Sequence, residues 1–181
     1  LTISLSTAAE ASREGFHFYP REISFTSYKM VLSNPNIVTG YVNTIIRTVL
    51  GTFLTVIATC IAAYPLARKE MPHRSMLTFL VVFTMLFSGG IVPGYLLVKK
   101  LGLINSMGSL ILPTLLSAFN IIIIKNFFQS IPDSLSESAG IDGAGEWRIL
   151  FQIYIPLSKP VLATVALWSA VFHWNAWFDA L

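Results

Sequence analysis

Four stretches without a single Asp, Glu, Lys or Arg constrain this chain more than any other feature. They are Thr48–Ala67, Ser75–Val98, Leu101–Ile124 and Pro160–Phe178, with lengths of 20, 24, 24 and 19 residues. About 20 apolar helical residues cross a bilayer core of ~30 Å, so each run is long enough to span. The 12 Lys and Arg and 9 Asp and Glu crowd into the rest of the 181 residues. A charged share of 12% is half of the roughly 25% of an average soluble domain. That is too little polar surface for a soluble enzyme, a disordered segment or a nucleic-acid binder. The expected fold is all-α, a polytopic helical membrane protein with at least four spans.

The polar remainder orders the spans. Leu1–Leu5 reads as the tail of an earlier span, and residues 6–41 as an extracytoplasmic loop rich in turn formers. The chain begins at Leu1 and stops just past the fourth run, which reads as an internal piece of a longer protein. The first span is expected from about Val42. Its Arg47 reads as a snorkelling membrane anchor, or as a residue facing a water-filled path. Arg68–Arg74 is a short basic link, the kind that faces the cytoplasm. This choice puts six Lys and Arg inside against five outside, a weak bias. Cys60, the one cysteine, lies within a run and reads as a packing residue.

Glycine and proline interrupt the runs. Ser88-Gly89-Gly90-Ile91-Val92-Pro93-Gly94 opposes a straight helix, because proline removes a backbone hydrogen bond and glycine is a poor helix former. The apolar stretch is expected to end near Phe87, with a reentrant or outer-surface segment after it, or to continue as a kinked helix. Pro113 breaks the third run similarly, and Pro65 lies near the end of the first. Such interruptions recur in transport proteins.

The loop Lys125–Lys159 has a non-random pattern. Ile131-Pro132-Asp133 reads as a turn, and Ser134 to Glu137 fits a capping box opening a short helix. That helix is expected to run through Ile141, with Gly143 at its end. In Gly145–Ile155, Trp147, Leu150, Phe151 and Tyr154 recur at helical spacing. A short helix, a glycine corner and an amphipathic helix result. Small residues at Ala139, Gly143 and Ala144 permit close backbone approach, which suits a docking knob; a plain interfacial connector is the alternative.

Glu137-Ser138-Ala139-Gly140-Ile141-Asp142-Gly143-Ala144, followed by Phe151, Ile153, Ile155-Pro156-Leu157 and Pro160, resembles the EAA loop of permease subunits of bacterial ATP-binding-cassette importers. The chain departs from Glu-Ala-Ala only by small residues, Ser138 and Gly140. Phe87-Ser88-Gly89-Gly90 with Pro93 and Tyr95, Lys99–Leu103, Asn126–Pro132 and His173–Phe178 resemble the polysaccharide and oligosaccharide subgroup of that family.

The resemblance implies the type I importer transmembrane fold, usually of six spans, with residues 1–181 a single domain truncated at both ends. It implies a location in the bacterial cytoplasmic membrane. It implies that residues 125–159 form a cytoplasmic coupling loop, with Glu137, Ser138, Ala139, Asp142, Gly143 and Ala144 contacting an ATPase. The implied partners are a second permease, two ATPase subunits and an extracytoplasmic sugar-binding protein, with no nucleic acid. The chain itself would not be an enzyme and would hold no cofactor or metal; ATP would bind the partner subunit, since no phosphate loop is present here. Candidates for a sugar path are Tyr95, Asn120, His173, Trp174 and Asn175. An ion-coupled carrier or channel is the competing reading, but the four runs carry no acid that would serve it.

Overall fold

The computed structural model describes residues 3–7, 19, 23–87 and 89–176. It divides into two compact units, Leu1–Ile45 and Ile46–Leu181, and every regular element among the described residues is helical.

In the first unit a 3₁₀ turn, Ile3–Leu5, precedes helix α1, Thr26–Leu32. The Ser24 N–H donates to the Leu5 carbonyl at 2.8 Å, and the Ser4 and Tyr28 hydroxyls lie 2.9 Å apart. Leu1 and Thr2, part of the expected span tail, lie outside the described residues. Helix α2, Pro35–Ala67, starts about two turns before the Val42 expected from the sequence. The reason is local: the Asn34 side chain accepts the Asn36 N–H at 3.0 Å, an N-cap with proline at the first helical position. The segment to residue 41 therefore contains α1 and the opening of α2 rather than loop alone. At 33 residues α2 is about 50 Å long.

The second unit continues through α3 (Arg74–Thr84), α4 (Ile91–Lys100) and α5 (Met107–Ile111), which runs on as a 3₁₀ turn, Leu112–Thr114. Helices α6 (Ala118–Phe128), α7 (Asp133–Ile141) and α8 (Glu146–Ile149) follow. A π-helical segment, Leu150–Tyr154, and a short turn α9, Ile155–Leu157, lead to α10, Lys159–Asn175. The four charge-free runs do not each form one unbroken helix. Among the described residues, α2 alone is long and apolar enough to cross a membrane. Up to three crossings result if each bent pair is one span: Met107–Thr114 with Ala118–Phe128, at 55°, and Glu146–Leu157 with Lys159–Asn175, at 84°. The breaks fall where proline and glycine predicted them. Helix α3 stops at Thr84, and Gly90, at φ +80°, starts α4; Ser88 lies outside the described residues. Pro113 sits in the bend of the third run.

The apolar core gathers around the C-terminal third of α2. Cys60, Ala63, Tyr64 and Ala67 bury one stripe against Ile121, Ile124 and Phe128 of α6, Ile149, Leu150 and Tyr154, and Val165 of α10. Cys60 is a packed core residue. Above this core α2 buries its polar side. Arg47, Gly51, Thr55 and Thr59 recur every fourth residue on one buried stripe, while Val49, Leu50, Phe53 and Leu54 stand exposed. That inversion suits a bilayer, where apolar side chains face lipid and small or polar ones mediate helix packing. Thr59 spends its hydroxyl on the Thr55 carbonyl at 2.6 Å.

Arg47 neither snorkels nor stands in an open path: it is buried and belongs to the packing. Its Nη1 donates to the Ala176 carbonyl at 3.0 Å, and its Nη2 to Leu110 at 3.3 Å. Both carbonyls sit at helix C-termini, of α10 and α5, where a cation is favoured. A broken helix leaves carbonyls without intrahelical donors, and a guanidinium supplies several donors at once.

Candidate functional site: the Gly143 corner

Helix α7 and its exit form a rigid corner. The chain reaches it extended through Pro132, at φ −58° and ψ 130°, and Asp133 is the first helical residue. The capping box expected from Ser134 and Glu137 is absent, because the helix starts two residues earlier and no side chain caps it. With Ser134 already inside the first turn, its hydroxyl has lost the N-cap geometry. Instead Asp133 places a carboxylate in the first turn, which the helix dipole favours, and its Oδ2 accepts Lys69 Nζ at 2.6 Å. Lys69 holds the Asp133 carboxyl below its usual range, and Asp133 raises the Lys69 ammonium. A depressed carboxyl contributes above its unfolded value and loses that contribution as pH falls through the folded one; a raised ammonium does the reverse at alkaline pH. The pair is thus intact across the neutral range. Both groups are exposed, so screening is strong. Asp133→Asn is expected to speed proteolysis of the corner in low salt and to leave it unchanged in high salt. Salt-independent acceleration would show that the pair is not the cause.

The exit of α7 is a Schellman motif. The Ala144 N–H donates to the Ala139 carbonyl at 2.9 Å, and the Gly143 N–H to Gly140 at 3.0 Å. Gly143 sits at φ +78°, and a Cβ there would meet no atom of the chain within 4 Å. Ala139 and Ala144 turn inward and pack on the core. Glu137, Ser138, Asp142 and Gly143 point outward, and Ile141 is 88% exposed. Ile141 thus stands at the tip of the corner, flanked by small residues.

Beyond the corner, the four apolar positions expected on one face divide into two. Leu150 and Tyr154 are buried, while Trp147 and Phe151 are exposed and stacked, with ring centroids 6.3 Å apart and 22° between planes. The cause is the π-helical segment, whose wider turn shifts the register. It precedes Pro156, which cannot donate a backbone hydrogen bond. Spacing alone misses it; the proline was the available signal.

Three buried aromatic rings fasten the corner to the spans. Tyr64 of α2, Phe128 of α6 and Tyr154 meet edge to face at centroid separations of 6.5, 5.0 and 5.3 Å, the geometry aromatic quadrupoles favour. The Tyr64 hydroxyl donates to Glu146 Oε2 at 2.5 Å. Arg68 lies 3.3 Å from Glu70 Oε2 and 3.9 Å from Glu146 Oε1. A cleft of ≈ 550 Å³ opens beside these groups, walled by Ile61, Pro65, Met71 and Trp147. Tyr64 and Glu146 were not singled out in the sequence, and Arg68 entered only as part of a basic link, because nothing local links positions so far apart.

The sequence-derived path residues differ in burial. His173 is 1% exposed, against Gly51 of α2 and the Phe172 ring. Asn120 is buried in α6. Tyr95 and Trp174 are exposed, and Asn175, also exposed, donates its amide to the Val171 carbonyl at 2.9 Å. Trp177 and Phe178, from the same aromatic motif, lie outside the described residues.

Residues 56–178 match the family model described as binding-protein-dependent transport system inner membrane component. Protein LplC of Bacillus subtilis (strain 168) is 46% identical over 98% of this chain and 60% of its own length. The polygalacturonan/rhamnogalacturonan transport system permease protein YtcP of the same organism is 44% identical over 100% of this chain and 63% of its own length. The chain therefore spans about three fifths of the length of these relatives. Among solved structures, a chain of a bacterial ABC transporter involved in the import of the acidic polysaccharide alginate superposes with TM-score 0.92. It is 36% identical, with 98% of this chain and 63% of that chain covered. A helical fold broken at its glycines and prolines agrees with these likenesses, and the family model covers more than half of the chain: the chain belongs to the family of binding-protein-dependent transport system inner membrane components.

Proposed function

We propose that the chain is part of the permease subunit of an ATP-driven importer that moves an oligo- or polysaccharide across the bacterial cytoplasmic membrane. The observation that carries this reading is the corner at Gly143, where small residues and an exposed Ile141 present a short helix to a partner. The partner that fits is an ATPase subunit, with Glu137, Ser138, Ala139, Asp142, Gly143 and Ala144 at the contact. ATP would bind there and not in this chain. ATP drives such a cycle only by binding one conformation of the assembly better than the other. A second permease and an extracytoplasmic sugar-binding protein complete the assembly. The names of YtcP and of the alginate importer support a carbohydrate cargo.

Sugars are held by aromatic faces and fixed polar groups. Tyr95, Trp174 and Asn175 keep side chains that a sugar could reach in such an assembly, whereas His173 and Asn120 would act from within the packing. The test is uptake of radiolabelled oligosaccharide by cells carrying the full-length protein, with and without the cognate ATPase gene. Uptake is expected to vanish without the ATPase. Uptake that persists and follows the proton gradient would establish the ion-coupled alternative instead.

A further inference from the structure

Glu146 occupies a position the docking corner alone does not require. It is the first residue of α8, one residue beyond Gly145 and three beyond the Gly143 turn. Its carboxylate is the acceptor for Tyr64, which is almost wholly buried near the end of α2. At 2.5 Å this is a short, charge-assisted hydrogen bond, stronger than a neutral one. Arg68, at 3.9 Å, adds attraction rather than a second hydrogen bond. The Tyr64 ring in turn touches Phe128 of α6 and Tyr154. One side chain thus joins the coupling corner, the long helix and the broken span.

We infer that the Tyr64–Glu146 contact, supported by Arg68, is the joint through which displacement of α7 is passed to α2. The inference rests on the permease reading above. A carboxylate in the first turn of α8 also favours the helix dipole, so a local stabilising role is the competing explanation. The two differ in what Tyr64→Phe does. That variant keeps the ring, its edge-to-face contacts and the Glu146 charge, and removes only the hydroxyl.

The experiment is a proteoliposome assay of the full-length permease assembled with its ATPase and binding protein, reading sugar transported per ATP hydrolysed. Tyr64→Phe is expected to assemble and hydrolyse ATP, with transport per ATP reduced about fivefold or more, the range of ordinary coupling energies. Glu146→Leu, which keeps the length of the side chain and removes the acceptor, is expected to do the same, and the double variant to fall no further, because each removes the same contact. An unchanged ratio in Tyr64→Phe would overturn the joint, as would reduced assembly with a normal ratio. Gly143→Asp in the same assay separates this from failure of the permease reading. If it uncouples while Tyr64→Phe does not, the joint alone is wrong. If neither affects ATP-driven uptake, the coupling reading itself is wrong.

Discussion

Gly143→Asp is expected to insert into the membrane at the wild-type level and to lose ATP-driven uptake. Within the chain the substitution adds only backbone strain, which Asp bears better than most residues in the left-handed region. A Cβ at Gly143 meets open space. The Schellman hydrogen bonds use backbone groups that remain. The damage falls on the partner. Seating the corner in an ATPase cleft would bury an unpaired carboxylate, a penalty of about 2–5 kcal/mol for an interfacial charge. That is roughly 30-fold or more in affinity. Copurification of the ATPase and oligosaccharide uptake are the measurements. Gly143→Asn, which keeps the left-handed tolerance without the charge, is expected to fall between wild type and Asp. Wild-type uptake in Gly143→Asp would remove the corner from the mechanism.

Gly51→Leu is expected to prevent the second unit from packing. A Cβ on Gly51 would lie 2.6 Å from His173 Nε2 and 2.8 Å from two ring carbons. The ring is buried and has no room to withdraw. Overpacking by a single methyl costs about 1–3 kcal/mol, and leucine adds three more carbons. The variant should show a much lower thermal midpoint in detergent and reduced membrane levels. Gly51→Ala should be milder, and His173→Ala in the same chain should restore it by removing the clashing ring. A wild-type midpoint for Gly51→Leu would mean that α2 and α10 do not approach there.

Much of the architecture is written locally. The charge-free runs already point to a membrane, since no soluble packing covers that much apolar surface. Gly90, Pro113 and Gly143 mark breaks because each has a backbone property independent of its neighbours, and each break appears where it was expected. Elements whose geometry depends on one extra turn or one hydrogen bond were harder. The Asn34 cap moved the start of α2, and Asp133 displaced the Ser134 cap.

Length of the runs, the places where helices break and the glycine corner follow from residue chemistry, because membrane thickness and backbone conformation act on consecutive residues. Which side of each helix turns inward does not. In a bilayer both faces of a span are apolar enough to meet lipid, so hydrophobic periodicity no longer selects the buried one. Helix packing selects it, placing Arg47 on two helix ends, Gly51 against His173, and Tyr64 against Glu146. Those contacts join residues 63 to 129 positions apart, as the two bonds of Arg47 measure, and only the folded chain brings them within reach.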